Sequence, residues 1–112
     1  MLCLVPTPIG NLEDISIRSL RILEEAELIF CEDTRVTKKL LNLLGEKQNL
    51  DFSNKEYKSF HSHNENNILQ SLTKETFTKN VVYVSDAGMP CVSDPGASLV
   101  DYCIKNDIAY DV

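Results

Sequence analysis

The sequence predicts an α/β domain with three layers, in which helices cover both faces of a mainly parallel five-stranded sheet. Three observations support this fold class. Apolar runs of four or five residues alternate with helical patterns along the whole chain. Polar or turn-forming residues follow each of the first four runs. Such alternation is typical of right-handed crossovers between parallel strands.

The elements follow from the positions of these patterns. Strands are predicted at residues 1–5, 27–31, 57–60, 81–85 and 108–112, and helices at residues 16–25, 34–44, 65–76 and 95–106. Apolar spacing predicts an inward face for each helix. These faces are Ile17, Leu20, Leu23 and Ala26, then Val36, Leu40, Leu43 and Leu44, then Ile68, Leu69 and Leu72, and finally Leu99, Val100, Cys103 and Ile104. Gly45 is predicted to end the second helix, and residues 46–56 to form a mobile surface loop.

Length and composition limit the possible classes of protein. A chain of 112 residues is long enough for one domain with a real core. No apolar stretch approaches the ~18–20 residues of a membrane span, and Pro6 interrupts the opening run, which argues against a signal peptide. The four cysteines contain no C-x-x-C pair, as expected of a cytosolic protein with buried free thiols.

The net charge of −6 is unusual for a protein that grips nucleic acid, because phosphate binding calls for a basic surface. The local exception is the segment Arg35–Lys39, with Arg18 and Arg21 on the preceding helix. Arg35 and Lys39 share a helix face at i, i+4 spacing. This segment is either a substrate-binding surface or an ordinary solvated helix face.

Four strand-to-helix connections carry the candidate chemistry: residues 8–11, 32–35, 61–64 and 85–88. In a parallel sheet these connections all lie at the carboxyl edge, where open α/β sheets bind ligands. The first lacks the G-x-G-x-x-G spacing of a dinucleotide site, and no Gly-Lys-Ser/Thr follows as in a P-loop. Sequence positions far apart are therefore predicted to form one site.

Each connection also has a structural interpretation. Asp94-Pro95 resembles a helix start, and Asp86 is either a turn residue or a ligand contact. In the second connection, either Asp33 or Thr34 caps a helix and Arg35 pairs with a carboxylate, or Arg35 holds a substrate phosphate and Asp33 positions or deprotonates a hydroxyl. His61 and His63 are predicted to point to the same side if the third strand extends through them. A metal would need further ligands that the sequence does not mark, so hydrogen bonding or helix capping through Asn64 is favoured.

Four segments together resemble a known family. They are PTPIGNLEDIS at residues 6–16, CEDTR at 31–35, HSHNE at 61–65 and VSDAGMPCVSDPG at 84–96. In this order and spacing they resemble the amino-terminal half of the ribosomal RNA small subunit methyltransferase I family, a branch of the tetrapyrrole (corrin/porphyrin) methylase superfamily. Met89 and Cys91 depart from the small hydroxylated residue and the glycine that the family usually carries there.

The resemblance implies a function. It implies transfer of a methyl group from S-adenosylmethionine to a ribose 2′-hydroxyl of a cytidine in small-subunit (16S) ribosomal RNA. By resemblance, the cofactor side of the site would be lined by Pro8, Gly10, Asp86, Gly88, Cys91 and Val92. We interpret Asp33, Arg35 and His63 as the candidate catalytic residues that face the substrate, with no role assigned to any one of them, and the reaction needs no metal. The expected partners are the 30S subunit and a second copy of the protein in a homodimer. The expected location is the cytoplasm, without association with a membrane.

The resemblance also implies that residues 1–112 are an amino-terminal domain. Family members continue into a second domain that completes the cofactor pocket, so the isolated chain is expected to bind S-adenosylmethionine weakly and to be inactive. Two alternatives stay open. One is methylation of a tetrapyrrole ring carbon, and the other is a non-catalytic half-site that dimerises or binds a partner.

Overall fold

Alternating strands and helices build the molecule, as predicted. The computed structural model describes residues 1–6, 15–61, 63–85 and 96–111. Within these ranges the strands are β1 (Leu2–Pro6), β2 (Leu28–Cys31), β3 (Glu56–Ser59), β4 (Val81–Ser85) and β5 (Tyr110–Asp111). The α-helices are α1 (Ile17–Glu25), α2 (Thr34–Gln48), α3 (Glu65–Ser71) and α4 (Gly96–Lys105), and a 3₁₀ helix spans Lys74–Thr78.

The five strands form one parallel sheet in the order β3-β2-β4-β1-β5. Two apolar clusters lie on its opposite faces. One packs α1 and α2 against the sheet, and the other packs α3, α4 and the 3₁₀ helix. All four residues of β2 are buried, as expected for a strand covered on both sides. The predicted three-layer α/β fold is therefore confirmed.

The buried face of α2 differs from the prediction by a rotation of the helix. The structure buries Thr37, Leu41, Leu44 and Gly45, whereas Val36 and Leu43 are exposed. Adjacent residues are 100° apart on a helix, so a stripe shifted by one residue faces a different direction. The helix contains apolar residues on more than one side, and packing against the sheet selected the side that includes Leu41.

Helices α1 and α4 also bury fewer residues than predicted. Leu23, Leu99 and Cys103 are buried, as expected, but Ile17 is 77% exposed and Ile104 is 57% exposed. Ile17 is the first residue of α1. Isolated exposed apolar side chains of this kind are normal at protein surfaces.

The prediction that Gly45 ends α2 is wrong. The helix continues to Gln48 and ends where Asn49 adopts the left-handed conformation, with φ 57° and ψ 44°. Asparagine tolerates this region of backbone space. Residues 46–56 were predicted to be a mobile loop, but their first three residues complete α2 and Phe52 is buried between α2 and β3.

The described helices are short, and the described cysteines are largely buried. No helix in the described ranges is both long and apolar enough to cross a membrane. Of the three cysteines that the structure describes, Cys31 and Cys103 are buried and Cys3 is half-buried. Burial raises the pKa of the Cys103 thiol to about 11, so this side chain stays protonated at neutral pH.

Candidate functional site

The candidate site lies at the carboxyl edge of the sheet, where β1 to β4 end side by side. Cys31 at the end of β2 is in register with Ser59 of β3 and with Val84 of β4. Pro6 at the end of β1 is in register with Ser85. The four connections predicted to carry chemistry therefore begin at neighbouring points along this edge, in the order β3, β2, β4, β1.

After β2 the chain turns directly into α2, and Asp33 is the capping residue. Its Oδ1 accepts the backbone N–H of Arg35 at 2.9 Å, which satisfies one of the free amides at the helix start. The Arg35 guanidinium also donates to both oxygens of the same carboxylate, from Nε and Nη2 at 3.2 Å each. These bonds hold the pKa of Asp33 below its ordinary value and raise that of Arg35.

This network determines what Asp33 can do. A carboxylate with a lowered pKa is a weak proton acceptor, and both of its oxygens are already bonded. Arg35, in contrast, is 90% exposed and keeps donors free for a ligand. The arrangement therefore suits Asp33 to positioning Arg35 and the start of α2, and suits Arg35 to binding an anion.

The Asp33 bonds predict a pH dependence of stability. The pKa of Asp33 in the folded state is lower than its ordinary value of 3.8. At a pH above 3.8 the ionised carboxylate therefore stabilises the folded protein. This stabilisation is lost as the pH falls through the folded-state pKa. Asp33→Asn, which keeps a capping oxygen but cannot titrate, should therefore lose less stability than wild type between roughly pH 5 and pH 3. Urea unfolding at each pH measures this, and equal slopes for both proteins would contradict it.

After β3 the chain forms a tight turn that Asn64 holds together. The Asn64 Oδ1 accepts the His61 backbone N–H at 2.8 Å, and its Nδ2 donates to the Ser59 carbonyl at 2.9 Å. The backbone N–H of Asn64 donates to the His61 carbonyl at 3.1 Å. Asn64 thus ties the turn to the end of the strand through both its side chain and its backbone.

The two histidines meet through this turn and not along an extended strand. Since β3 ends at Ser59, the premise that the strand continues through both residues is wrong. Their rings nevertheless lie 5.8 Å apart in an edge-to-face arrangement. The His63 backbone N–H donates to Nδ1 of His61 at 3.2 Å. An accepting ring nitrogen carries no proton, so neutral His61 holds its proton on Nε2.

One contact joins the start of α3, just after the histidine turn, to the start of α4. The Ser98 hydroxyl in the first turn of α4 donates to Oε1 of Glu65, the first residue of α3, at 2.6 Å. These residues are 33 positions apart in the sequence. The contact fixes the start of α4, and with it the point where the chain returns after residues 86–95, relative to the histidine turn.

The predicted site residues divide into two groups. Asp33, Arg35 and His63 lie at the ends of the adjacent strands β2 and β3. The predicted cofactor residues, Pro8, Gly10, Asp86, Gly88, Cys91 and Val92, lie outside the described residues. The chain leaves the described ranges at Pro6 and Ser85, which are in register at that edge. The Glu65–Ser98 contact was missed, because no local pattern indicates a hydrogen bond across 33 residues.

Features of the described residues fit a polar cofactor at this edge. The central strands β1 and β4 end side by side there, at the position where open α/β sheets accept ligands. The Thr37 hydroxyl, in the first turns of α2, is fully buried and has no hydrogen-bond partner within residues 1–6, 15–61, 63–85 and 96–111. In the same ranges no three His, Cys, Asp or Glu side chains form a group that could hold a metal ion.

Comparison with known proteins adds to this geometry. The sequence profile of the family "Tetrapyrrole (Corrin/Porphyrin) Methylases" matches residues 1–112. The chain is 54% identical to "Ribosomal RNA small subunit methyltransferase I" of Campylobacter fetus subsp. fetus over 113 aligned positions, which cover all of this chain and 42% of that protein. It is 46% identical to the protein of the same name in Helicobacter pylori strain J99, covering 41% of it. The chain thus spans about two fifths of the length of these relatives.

A solved structure supports the fold. The crystal structure of uroporphyrin-III-C-methyltransferase from Thermus thermophilus superposes with a TM-score of 0.60, covering 99% of this chain and 45% of that one. At 21% identity this likeness concerns the fold alone. The profile match over residues 1–112 leads to one conclusion: the chain belongs to the tetrapyrrole (corrin/porphyrin) methylase family.

Proposed function

We propose that this chain is the amino-terminal domain of a methyltransferase that acts on small-subunit ribosomal RNA. The methyl donor is S-adenosylmethionine, and the acceptor is the ribose 2′-hydroxyl of a cytidine. The observation that carries the proposal is the position of Asp33, Arg35 and the histidine turn at neighbouring strand ends. The whole-chain similarity to proteins named ribosomal RNA small subunit methyltransferase I supports the choice of RNA as substrate.

The chemistry requires alignment and one proton acceptor. When bound, S-adenosylmethionine supplies a methyl group activated by its sulfonium. The chain must then hold the ribose hydroxyl in line and accept its proton. Arg35 binds a phosphate of the RNA, since a planar guanidinium matches phosphate geometry and this one is exposed. Asp33 positions Arg35 through the two side-chain bonds between them.

The histidine turn supplies the remaining groups. Imidazole is the most frequent general base in enzymes, and His63 is exposed whereas His61 is half-buried. We assign His63 to receive the hydroxyl proton, while His61, held through Asn64, keeps an Nε2–H donor at the same turn. Asp33 is not the base, because Arg35 lowers its pKa.

The experiment measures methyl transfer by the complete protein. It is incubated with radiolabelled S-adenosylmethionine and 30S subunits that lack the modification, and the labelled nucleotide is then mapped. A label on a ribose, which blocks alkaline cleavage at that nucleotide, is the expected result. Label on a base, or on a tetrapyrrole but not on RNA, would reject the proposal. The same enzyme is proposed to be a cytoplasmic homodimer. Light scattering of the purified protein tests the dimer, and cell fractionation tests the location.

The cofactor side of the proposal predicts the effect of two substitutions. In the complete protein, Asp86→Ala should weaken S-adenosylmethionine binding by roughly 1–3 kcal/mol through loss of a polar contact. Gly88→Val should weaken it by steric exclusion where the backbone approaches the ligand. Titration calorimetry measures both, with thermal unfolding as the control for folding. Wild-type affinity in both variants would assign these residues to a structural turn.

A further inference from the structure

A polar cavity lies beside α2, on the side of the sheet where β3 is the edge strand. It has a volume of about 270 Å³ and is lined by Lys38, Asn42, Phe52, Ser53, Lys55 and Tyr57. Drug-sized ligands occupy ~300–1,000 Å³, so this cavity has room for a smaller group such as a phosphate with part of its sugar. None of these residues belongs to the connections described above.

The cavity adjoins a concentration of positive charge in an acidic protein. The chain carries a net charge of −6, yet residues 34–45 contain three cations (Arg35, Lys38, Lys39) and no acid. Two of the three lie within the first five residues of α2, where the helix dipole disfavours positive charge. Within the described ranges no carboxylate forms an ion pair with Lys38. Bound anions would offset this unfavourable placement.

The α2 cations do not continue onto α1. Arg18, which could have extended the basic surface, is paired with Asp111 of β5 at the other edge of the sheet. The cluster of cations on α2 is therefore not extended by Arg18.

Two ammonium groups face this cavity from different elements. Lys38 Nζ lies 5.4 Å from the centre of the half-buried Tyr57 ring. Lys55 Nζ donates to the carbonyls of Glu24 and Ala26, each at 2.7 Å, which holds it in place with one donor left over. Burial lowers the pKa of Lys55. Three carboxylates also interact with Lys55, those of Glu24, Asp51 and Glu27. Asp51 is already bonded to the Ser53 backbone and hydroxyl at 2.9 and 2.6 Å.

The position of the cavity connects it to the proposed reaction. Arg35 and Asn42 are seven residues apart on α2, which corresponds to about 10 Å along the helix axis. A stacked nucleic-acid strand advances ~3.4 Å per nucleotide, so this distance spans roughly three nucleotides. A strand with one phosphate at Arg35 can therefore reach the cavity by following α2.

We propose that the cavity between α2 and β3 is a phosphate subsite for the RNA strand whose ribose is methylated at the carboxyl edge. Lys38 and Lys55 neutralise the phosphate, Asn42 donates a hydrogen bond, and the Tyr57 ring packs against the sugar or base. This inference rests on the proposed function, because it takes RNA as the occupant. It adds a place where the substrate is bound outside the catalytic edge.

The test measures RNA binding by the complete protein with a fluorescein-labelled oligonucleotide from small-subunit ribosomal RNA, over a range of salt concentrations. Lys38→Gln should reduce affinity by roughly three- to tenfold at low salt and lower the slope of log K against log salt by ~0.7, the value for one phosphate contact on a single strand. Lys38→Arg should restore both. Lys47→Gln is the matched control, because it makes the same charge change on the same helix away from the cavity.

Each outcome separates this inference from the proposed function. If wild type binds and methylates RNA while Lys38→Gln and Lys47→Gln behave alike, the subsite is overturned and the proposed function stands. If wild type neither binds the oligonucleotide nor methylates 30S subunits, both fail, whereas methylation of 30S subunits without oligonucleotide binding overturns the subsite alone. Polyglutamate is included as a competitor at the same concentration of charge. If it displaces the labelled RNA as effectively as unlabelled RNA does, the cavity is a site for acidic peptides and the inference is overturned. Unchanged S-adenosylmethionine affinity in Lys38→Gln shows that folding is intact.

Discussion

Replacing Phe60 with alanine is expected to lower the free energy of unfolding by about 3–5 kcal/mol. Phe60 follows β3 directly and is fully buried in the cluster beneath α3 and α4. Its ring packs edge-to-face against Phe30 at 5.8 Å and against Tyr83 at 6.2 Å between centroids. Alanine would leave a cavity that these large rings cannot fill by a small shift, which places the cost near the upper part of the range for core truncations.

Urea unfolding of the purified chain measures this effect. Phe60→Leu is the control, because it keeps most of the volume and should cost less than about 1.5 kcal/mol if the core repacks. A domain of ordinary stability has about 5–15 kcal/mol in total, so the alanine variant is expected to unfold at a much lower urea concentration. A loss below about 1 kcal/mol would show that Phe60 is not packed as the structure describes.

Phe60 also connects the core to the candidate site. Its backbone N–H donates to the Cys31 carbonyl at 2.7 Å, which joins the ends of β3 and β2, and His61 is the next residue. Loss of the Phe60 ring therefore removes a support of the histidine turn as well as core volume.

Gly45→Val is expected to destabilise the protein by about 3 kcal/mol, at the upper end of the usual cost of overpacking. A Cβ at this position would lie 2.6 Å from the Leu50 carbonyl oxygen and 3.2 Å from the Phe52 ring. The carbonyl is backbone and cannot rotate away. Its residue is held there because the Leu50 N–H donates to the Gly45 carbonyl at 2.9 Å. The clash therefore moves the turn that brings Phe52 into the core.

Two variants isolate the steric effect. Gly45→Ala introduces the same Cβ but gains up to ~1 kcal/mol of helix propensity over glycine, so it should be less destabilising than valine. Glu46→Val adds a β-branched residue at an exposed position of the same helix and should cost only ~0.5 kcal/mol. Chemical unfolding measures the loss in free energy of unfolding for the three variants. Equal losses for Gly45→Val and Glu46→Val would contradict the clash at Gly45 as the cause.

Much of the fold follows from the sequence alone, because the relevant signals are local. The strand β4 has the predicted bounds, and the other strands lie within a few residues of the predictions. Short apolar runs mark buried strands directly, and their alternation with helices indicates parallel pairing. From that pairing it follows that Asp33 and His63 lie near the same sheet edge, and the structure confirms this for these two residues.

Only the tertiary structure decided how each element is rotated and what it contacts. Val36, Leu40, Leu41, Leu43 and Leu44 surround much of α2, so periodicity did not distinguish the Leu41 face from the Leu43 face. The role of Gly45 depends on the Leu50 carbonyl, and that of Ser98 on Glu65 across 33 residues. The order of elements is encoded in short segments, whereas these contacts depend on packing between elements that only the folded chain brings together.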